Sequence, residues 1–389
     1  MKISIALVLA LLFAPLAALR AADSRPNIIF LFTDRYCAFK LLALAILSFS
    51  APLSAVSEEL YFPSTDRDWD TVTPESLGWD VAALEHVIEL VGKSNGKSFL
   101  ILKDGKIVAE RYWTPAGADH AQYVMSCGKS ITAFLIGIAQ EQGKLKIEQP
   151  VADFLGAGWS KASKAQEQSI HIEHMLKMTS GLNAGRRFET SPDKKWFYNT
   201  TVYQDLHPLL EKAVGKTVQE FSNEVLFQPT GMKHSKFRFH SFVMTARDMG
   251  RFGLLILADG EWNGQQIMKD KSYFHAMIDT SQELNPSYGY LWWLNGKASK
   301  VSVGRQSSVK NGPLIPTAPL DLICANGKGS QHIYIVPSQN LVVVRLGDAP
   351  ETAKQGVQAE SAGGSSASFN TQLWEKLMLA VQPQRAIQP

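Results

Sequence analysis

Ser126 and Lys129 stand three residues apart at the head of an apolar-striped run, Ile131, Phe134, Leu135 and Ile138, that stops at Gly143. On a helix, positions i and i+3 share a face, so this spacing lets an ammonium reach a hydroxyl. A serine in a helix's first turn also lies at the positive end of the dipole. Its own N–H is unpaired there and can bind a developing oxyanion. The chemistry these types can do is nucleophilic attack by an activated hydroxyl. Spacing alone is a weak signal, because the chain repeats it at Ser94, Ser191 and Ser307. Those three lie in polar, loop-like stretches, and only Ser126 opens a long helical pattern. The competing reading of Ser126 is a plain N-cap serine.

Other reactive types are sparse. His171 and His174 have i,i+3 spacing but no evident third ligand, so no metal site is expected. The cysteines, Cys37, Cys127 and Cys324, are too few for a disulfide framework and carry no zinc-knuckle spacing. The 389 residues have a formal net charge of +3, and the first 55 account for all of it. A neutral body argues against nucleic-acid binding.

The elements that must hold Ser126 and Lys129 follow from periodicity. Asp80 to Gly92 reads as an amphipathic helix with Asp80 as N-cap and Gly92 as C-cap. Ser98–Lys103 and Lys106–Trp113 flank Asp104-Gly105, a strong hairpin signal. The middle is mostly helical: 171–178, 202–214, 218–226, and 246–258 opened by a Thr245/Asp248 capping box. Strands return after about residue 286, with a second hairpin at 331–336 and 341–346, and a last helix covers 369–381. The fold expected is α+β: an antiparallel sheet from N- and C-terminal hairpins, flanked by helices, with a helical region inserted. We read residues 56–389 as one catalytic domain, its α/β part near 77–125 and 286–381 and its helical part near 126–285.

Residues 1–55 read as a leader holding two signal-like runs, Ile3 to Leu19 and Leu41 to Leu47, each followed by small residues. Export to the periplasm or outside the cell is expected, with a membrane anchor only through an uncleaved leader. Between the runs, Arg25 to Asp34 resembles the first strand of sulfatases, where the aspartate binds a metal. The cysteine signature of that family is absent, so Asp34 is read as part of a foreign leader fused ahead of the true signal.

Val124-Met125-Ser126-Cys127-Gly128-Lys129-Ser130-Ile131-Thr132 resembles the active-site segment of the serine β-lactamase-related hydrolases. That superfamily includes class C β-lactamases, DD-peptidases, β-lactamase-type esterases and 6-aminohexanoate-dimer hydrolase. Further landmarks follow in order: Lys106–Trp113, His174–Leu182, Met244–Gly253, Tyr288–Trp293 and Val342–Gly347. The resemblance implies Ser126 as nucleophile, Lys129 and Tyr198 as proton carriers, and the amides of Ser126 and Ser330 as oxyanion donors. Lys129 would supply the field that stabilises a Tyr198 phenolate. Trp196, Thr200, Gly327, Lys328 and Gly329 would meet substrate. Thr200 stands where the family has asparagine, and Asn326-Gly327-Lys328-Gly329-Ser330-Gln331 replaces the Lys-Thr-Gly triplet. The implied function is a cofactor-free, metal-free serine hydrolase acting on a small ester or linear amide. The alternatives are a β-lactamase or DD-peptidase, or a non-catalytic relative that binds penicillin or cell-wall fragments. The approach Phe237–Met244 is shorter than the glycine-rich one of relatives, so an altered rim is expected there.

Overall fold

Asp80 opens the first helix, α1 (Val81–Lys93), by accepting the Ala83 N–H at 3.0 Å, and Leu84, Val87, Ile88 and Val91 form its buried stripe. The helix continues through Gly92, which the sequence suggested as its cap. A Cβ at Gly92 would lie 2.9 Å from the Trp113 ring, so glycine there serves packing rather than termination. The computed structural model describes residues 60–65, 67–303, 308–350 and 367–381. By contacts the chain divides into Met1–Ser57 and Glu58–Pro389. Both signal-like runs, Asp34 and Cys37 lie outside the described residues.

Strands β1 (Gly96–Lys103) and β2 (Lys106–Tyr112) form the first hairpin. Asp104 and Gly105 both take positive φ, 50° and 86°, as a two-residue turn between right-twisted strands requires. A Cβ on Gly105 would fall 1.9 Å from the Tyr61 carbonyl oxygen. Gly105→Ala is therefore expected to cost about 2 kcal/mol or more, read as a lower urea midpoint at unchanged slope.

The chain then forms β3 (Ala121–Tyr123) and enters α2 (Cys127–Glu141). Every residue from Cys127 to Ala139 is buried, so α2 is a central helix rather than a one-faced surface helix. The helical middle comprises α3 (Ala152–Leu155), α4 (Lys164–Gln168), α5 (Ile172–Leu176), α6 (Thr200–Gln204), α7 (Leu206–Val214) and α8 (Val218–Ser222). The sequence reads 202–214 as one helix, but the chain breaks at Asp205. Pro208 has no N–H for the Gln204 carbonyl four residues back and crowds it, which ends α6. After a π-turn at Asn223–Phe227 come α9 (Gln228–Thr230), β4 (Lys236–Arg238) and β5 (Ser241–Thr245).

Helix α10 (Ala246–Leu257) follows directly. Its Thr245 cap accepts the Asp248 N–H, but the expected reciprocal bond is absent. Asp248 instead accepts from the His234 N–H and Ser235 Oγ, tying the helix start to the segment before β4.

The ribbon β6 (Glu261–Trp262) and β7 (Gln265–Gln266), helix α11 (Lys271–Met277), β8 (Trp293–Leu294) and the ribbon β9 (Ser299–Val301) and β10 (Val309–Asn311) lead to the last strands. These are β11 (Ile323–Gly327), β12 (Gln331–Val336) and β13 (Leu341–Gly347), followed by α12 (Ala367–Val381). The main sheet has the order β2-β1-β13-β12-β11-β8, antiparallel throughout. Helices α1 and α12 pack together beside it, while α10 and α2 also pack against it. All residues of β11, β12 and β13 are buried, as expected of strands covered on both faces. The architecture is the α+β arrangement expected. In a small sheet, β3-β5-β4, the strands β4 and β5 lie within the stretch read as helical.

Candidate active site

The turn that delivers Ser126 is built from β3 and β5. Tyr123 pairs with Val243, and the Val124 N–H donates to the Phe242 carbonyl at 2.9 Å. Met125 then takes φ of 52°, the left-handed region a branchless glycine prefers, and stays exposed. Ser241 Oγ donates to the Met125 carbonyl at 2.9 Å and holds that turn. Ser126 follows as the residue flanking α2, yet its side chain makes no capping bond. The plain N-cap reading fails on that observation.

The Ser126 hydroxyl instead accepts from Lys129 Nζ at 3.0 Å and faces the Tyr198 phenol, whose ionised form it favours. Lys129 is buried, and among the described residues no carboxylate pairs with it. Its Nζ lies 4.3 Å from the Tyr203 ring centroid and 5.1 Å from that of Tyr198. Burial pulls the ammonium down to about 7, because a low-dielectric site penalises the charged form. The Tyr198 phenol is pushed up by burial, and the Ser126 hydroxyl only partly offsets this. The expected resting phenolate is thus disfavoured: desolvation outweighs any field from Lys129. The site thus sets an amine that loses its proton near neutral pH, and a protonated phenol, around one hydroxyl.

Tyr198 is held by aromatic packing. Trp293 stacks on it at 6.0 Å and 23°, while Trp196 and Tyr288 meet it at 6.3 Å each. All four rings are buried, which places Trp196 behind the phenol rather than on an open cleft wall. Trp292, the neighbour of Trp293, stacks instead on Phe252 of α10. Next to Tyr198, Asn199 caps α6 and donates to the Leu182 and Asn183 carbonyls. Thr200 is the exposed first residue of that helix.

A polar group behind Lys129 was not read from the sequence. Thr132 Oγ1 lies 3.0 Å from both the Gly128 carbonyl and Tyr203 OH; Tyr203 OH lies 3.1 Å from His207 Nε2; and His207 Nδ1 lies 3.2 Å from His240 Nδ1. One tautomer assignment gives every proton an acceptor: His240 donates to His207, His207 to Tyr203, Tyr203 to Thr132, and Thr132 to Gly128. Burial and the neighbouring His240 and Lys129 push His207 down to about 3, so it stays neutral. The one sequence hint was Tyr203 and His207 at i,i+4.

The third wall is the edge of the main sheet. Cys127 Sγ donates to the Ala325 and Gln331 carbonyls at 3.3 and 3.1 Å, clipping β11 and β12 to the start of α2. A Cβ on Gly327 would sit 2.4 Å from the Val124 carbonyl oxygen, so only glycine lets β11 pass this close to the turn before Ser126. Lys328 is exposed, Gly329 half-buried with φ of 80°, and Ser330 wholly buried with φ of 62°. Arg345 Nη1 donates to the Ser330 carbonyl at 2.7 Å, fixing the turn against β13. Gln331 reaches the Gly347 carbonyl at 2.6 Å and accepts from Gln122 at 2.7 Å, stitching the same turn to β13 and β3.

The motif reading put the second oxyanion amide at Ser330, and this needs correction, because that residue has no exposed surface. Register gives another position. Cys324 pairs with Trp293 of β8, and the Leu322 carbonyl accepts the Asn295 N–H at 2.9 Å. Main-chain groups facing that edge alternate, so after Leu322 and Cys324 the next is Asn326, beyond the end of β8.

A family model for the beta-lactamases matches residues 84–363. The chain belongs to the beta-lactamase family. A protein of Alkalihalophilus pseudofirmus without assigned function is 23 % identical over 300 residues, spanning 66 % of this chain and 84 % of that one. A Bacillus anthracis structure assigned as a 6-aminohexanoate-dimer hydrolase superposes with a TM-score of 0.62 at 16 % identity, covering 82 % of this chain and 89 % of that one. A penicillin-binding protein from Bacillus halodurans gives 0.53 at 17 % identity, covering 68 % and 95 %. These likenesses show the beta-lactamase fold, and the family is one of serine hydrolases.

One cluster resembles a metal site. His171, Glu173 and His174 hold ligand atoms within 4.8 Å of one another, so the sequence reading missed Glu173 as a third member. Lys177 Nζ already lies 3.1 Å from Glu173 and 3.2 Å from Asp193, and His174 Nδ1 accepts the His171 N–H at 2.9 Å. The carboxylates have their cation in Lys177.

Proposed function

We propose that this member of the beta-lactamase family is a serine hydrolase that forms an acyl-enzyme on Ser126 and turns over small esters or linear amides. The observation that carries the proposal is the Ser126 hydroxyl, unused for capping, bonded to a buried amine at 3.0 Å and facing a buried phenol. Neutral Lys129 takes the hydroxyl proton as Oγ bonds to the substrate carbonyl carbon. The Ser126 and Asn326 N–H groups hold the oxyanion. Tyr198 protonates the departing alcohol or amine and recovers its proton from the Lys129 ammonium. Water then attacks the acyl-enzyme by the reverse transfers, and Ser126 leaves with its proton.

Two features favour esters and linear amides over β-lactams. Thr200 offers no amide to a substrate carbonyl. The strand β11 carries Ile323, Cys324 and Ala325 ahead of its free edge, while Lys328 lies past the strand in the turn. No cation therefore stands on the strand to hold a drug carboxylate. We also propose export, on the signal-like runs of the leader. The test is a rate comparison: p-nitrophenyl acetate and butyrate are expected to turn over, with nitrocefin at least about tenfold slower in kcat/KM. Nitrocefin faster than both esters overturns the substrate preference, and no turnover of either class overturns the hydrolase proposal.

A further inference from the structure

The hairpin between β4 and β5 is closed by two residues, Phe239 and His240, with φ of 47° and 59°. Left-handed backbone at both central positions is the geometry for which Asn-Gly is preferred, and a bulky aromatic is a poor choice for it. The turn is nevertheless fixed on both sides. His240 stacks on buried His207 with ring centroids 5.4 Å apart, and the adjacent Ser241 holds the Met125 carbonyl beside the nucleophile. Phe239 is left 86 % exposed, the most exposed large apolar side chain among the described residues. Its nearest ring is Tyr123 at 6.4 Å, two residues before Met125, which is itself 43 % exposed.

Backbone strain and an unburied aromatic are both unfavourable for the free protein, and neither contributes to its core. Strain kept at such a place points to a ligand. The chain segment that carries Tyr123 and Met125 runs directly into Ser126, so the thioether stands one residue and the Tyr123 ring three residues ahead of the attacking hydroxyl. Tyr198, which serves the leaving group, comes from a separate group of elements.

We infer that Phe239, with Tyr123 and Met125, forms an apolar lip that takes the acyl chain of the substrate, so that Phe239 sets the preference for acyl groups longer than acetyl. The inference rests on the ester-hydrolase proposal above. A chain laid along the lip would cover the Phe239 ring and remove its apolar surface from water.

The experiment measures kcat/KM for p-nitrophenyl acetate, butyrate and octanoate on the full chain, in wild type, Phe239→Asn and Phe239→Leu. Wild type is expected to favour the longer esters. In Phe239→Asn the octanoate-to-acetate ratio falls about tenfold, while Tm rises by about 2 °C because asparagine accepts the left-handed turn. Phe239→Leu, which keeps an apolar surface, retains most of the wild-type ratio; a fall as large as that of the asparagine variant overturns the inference. A ratio unchanged in Phe239→Asn also overturns it. Wild type that cleaves acetate but shows no gain with chain length overturns it while leaving the hydrolase proposal intact, whereas no cleavage of any ester removes both.

Discussion

Ser126→Ala is expected to abolish ester turnover, by about 10⁴-fold or more in kcat/KM, while the protein remains folded. The size follows from the site having a single nucleophile: without the hydroxyl, Lys129 and Tyr198 have no common proton to exchange. The fold survives because the side chain makes no capping bond and is only half-buried. Alanine also leaves the backbone N–H at the start of α2, so substrate still binds and KM changes little. A fluorophosphonate probe gives the direct readout: wild type is labelled at Ser126 and the variant is not. Full activity in Ser126→Ala removes the acyl-enzyme. A wild type that forms a stable adduct yet never turns over any ester or amide favours a binding protein instead.

The serine and lysine were legible because their relation is local. A three-residue spacing on a helix fixes which side chains meet, and the apolar stripe after Ser126 singled out, among four, the occurrence whose hydroxyl and amine lie 3.0 Å apart. Tyr198 became legible only through motif order, since spacing says nothing about a residue from a distant stretch. Longer-range features were hidden for the same reason. His207 and His240 are 33 residues apart and meet only because the β4–β5 hairpin folds back over α7. The Ser330 reading failed differently. A motif names residues, but which amide faces an open strand edge depends on register, and register is fixed by pairing with β8. Hairpins and helix starts were read well wherever local chemistry decides them, as at Asp104-Gly105 and Asp80. Helix ends were read poorly where packing decides, as at Gly92 and Asp205.

The second large effect concerns the charge on Lys129. Its pKa of about 7 means that roughly half of the free enzyme holds a neutral amine at neutral pH. The acidic limb of kcat/KM should therefore bend near pH 7 and fall about tenfold per unit below it. Lys129→Arg places a guanidinium that stays protonated throughout, and Lys129→Met removes the base with little change in volume; each should lose about 10³-fold or more. Stability moves the other way. The folded pKa lies below the unfolded value, so the unfolded chain holds one more proton between about pH 7 and 10, and the wild type gains stability as pH rises through that window. Lys129→Met escapes the desolvation penalty and should melt higher at pH 7, with a flatter stability profile up to pH 10. Tyr198, Tyr203 and neutral His207 face the amine without offering a carboxylate, so nothing nearby reverses the sign. Activity that persists in Lys129→Arg, or an acidic limb bending near pH 4, removes the amine from the proton transfer. A catalytic helix that becomes more stable when it loses its lysine is what a site built for reactivity should show.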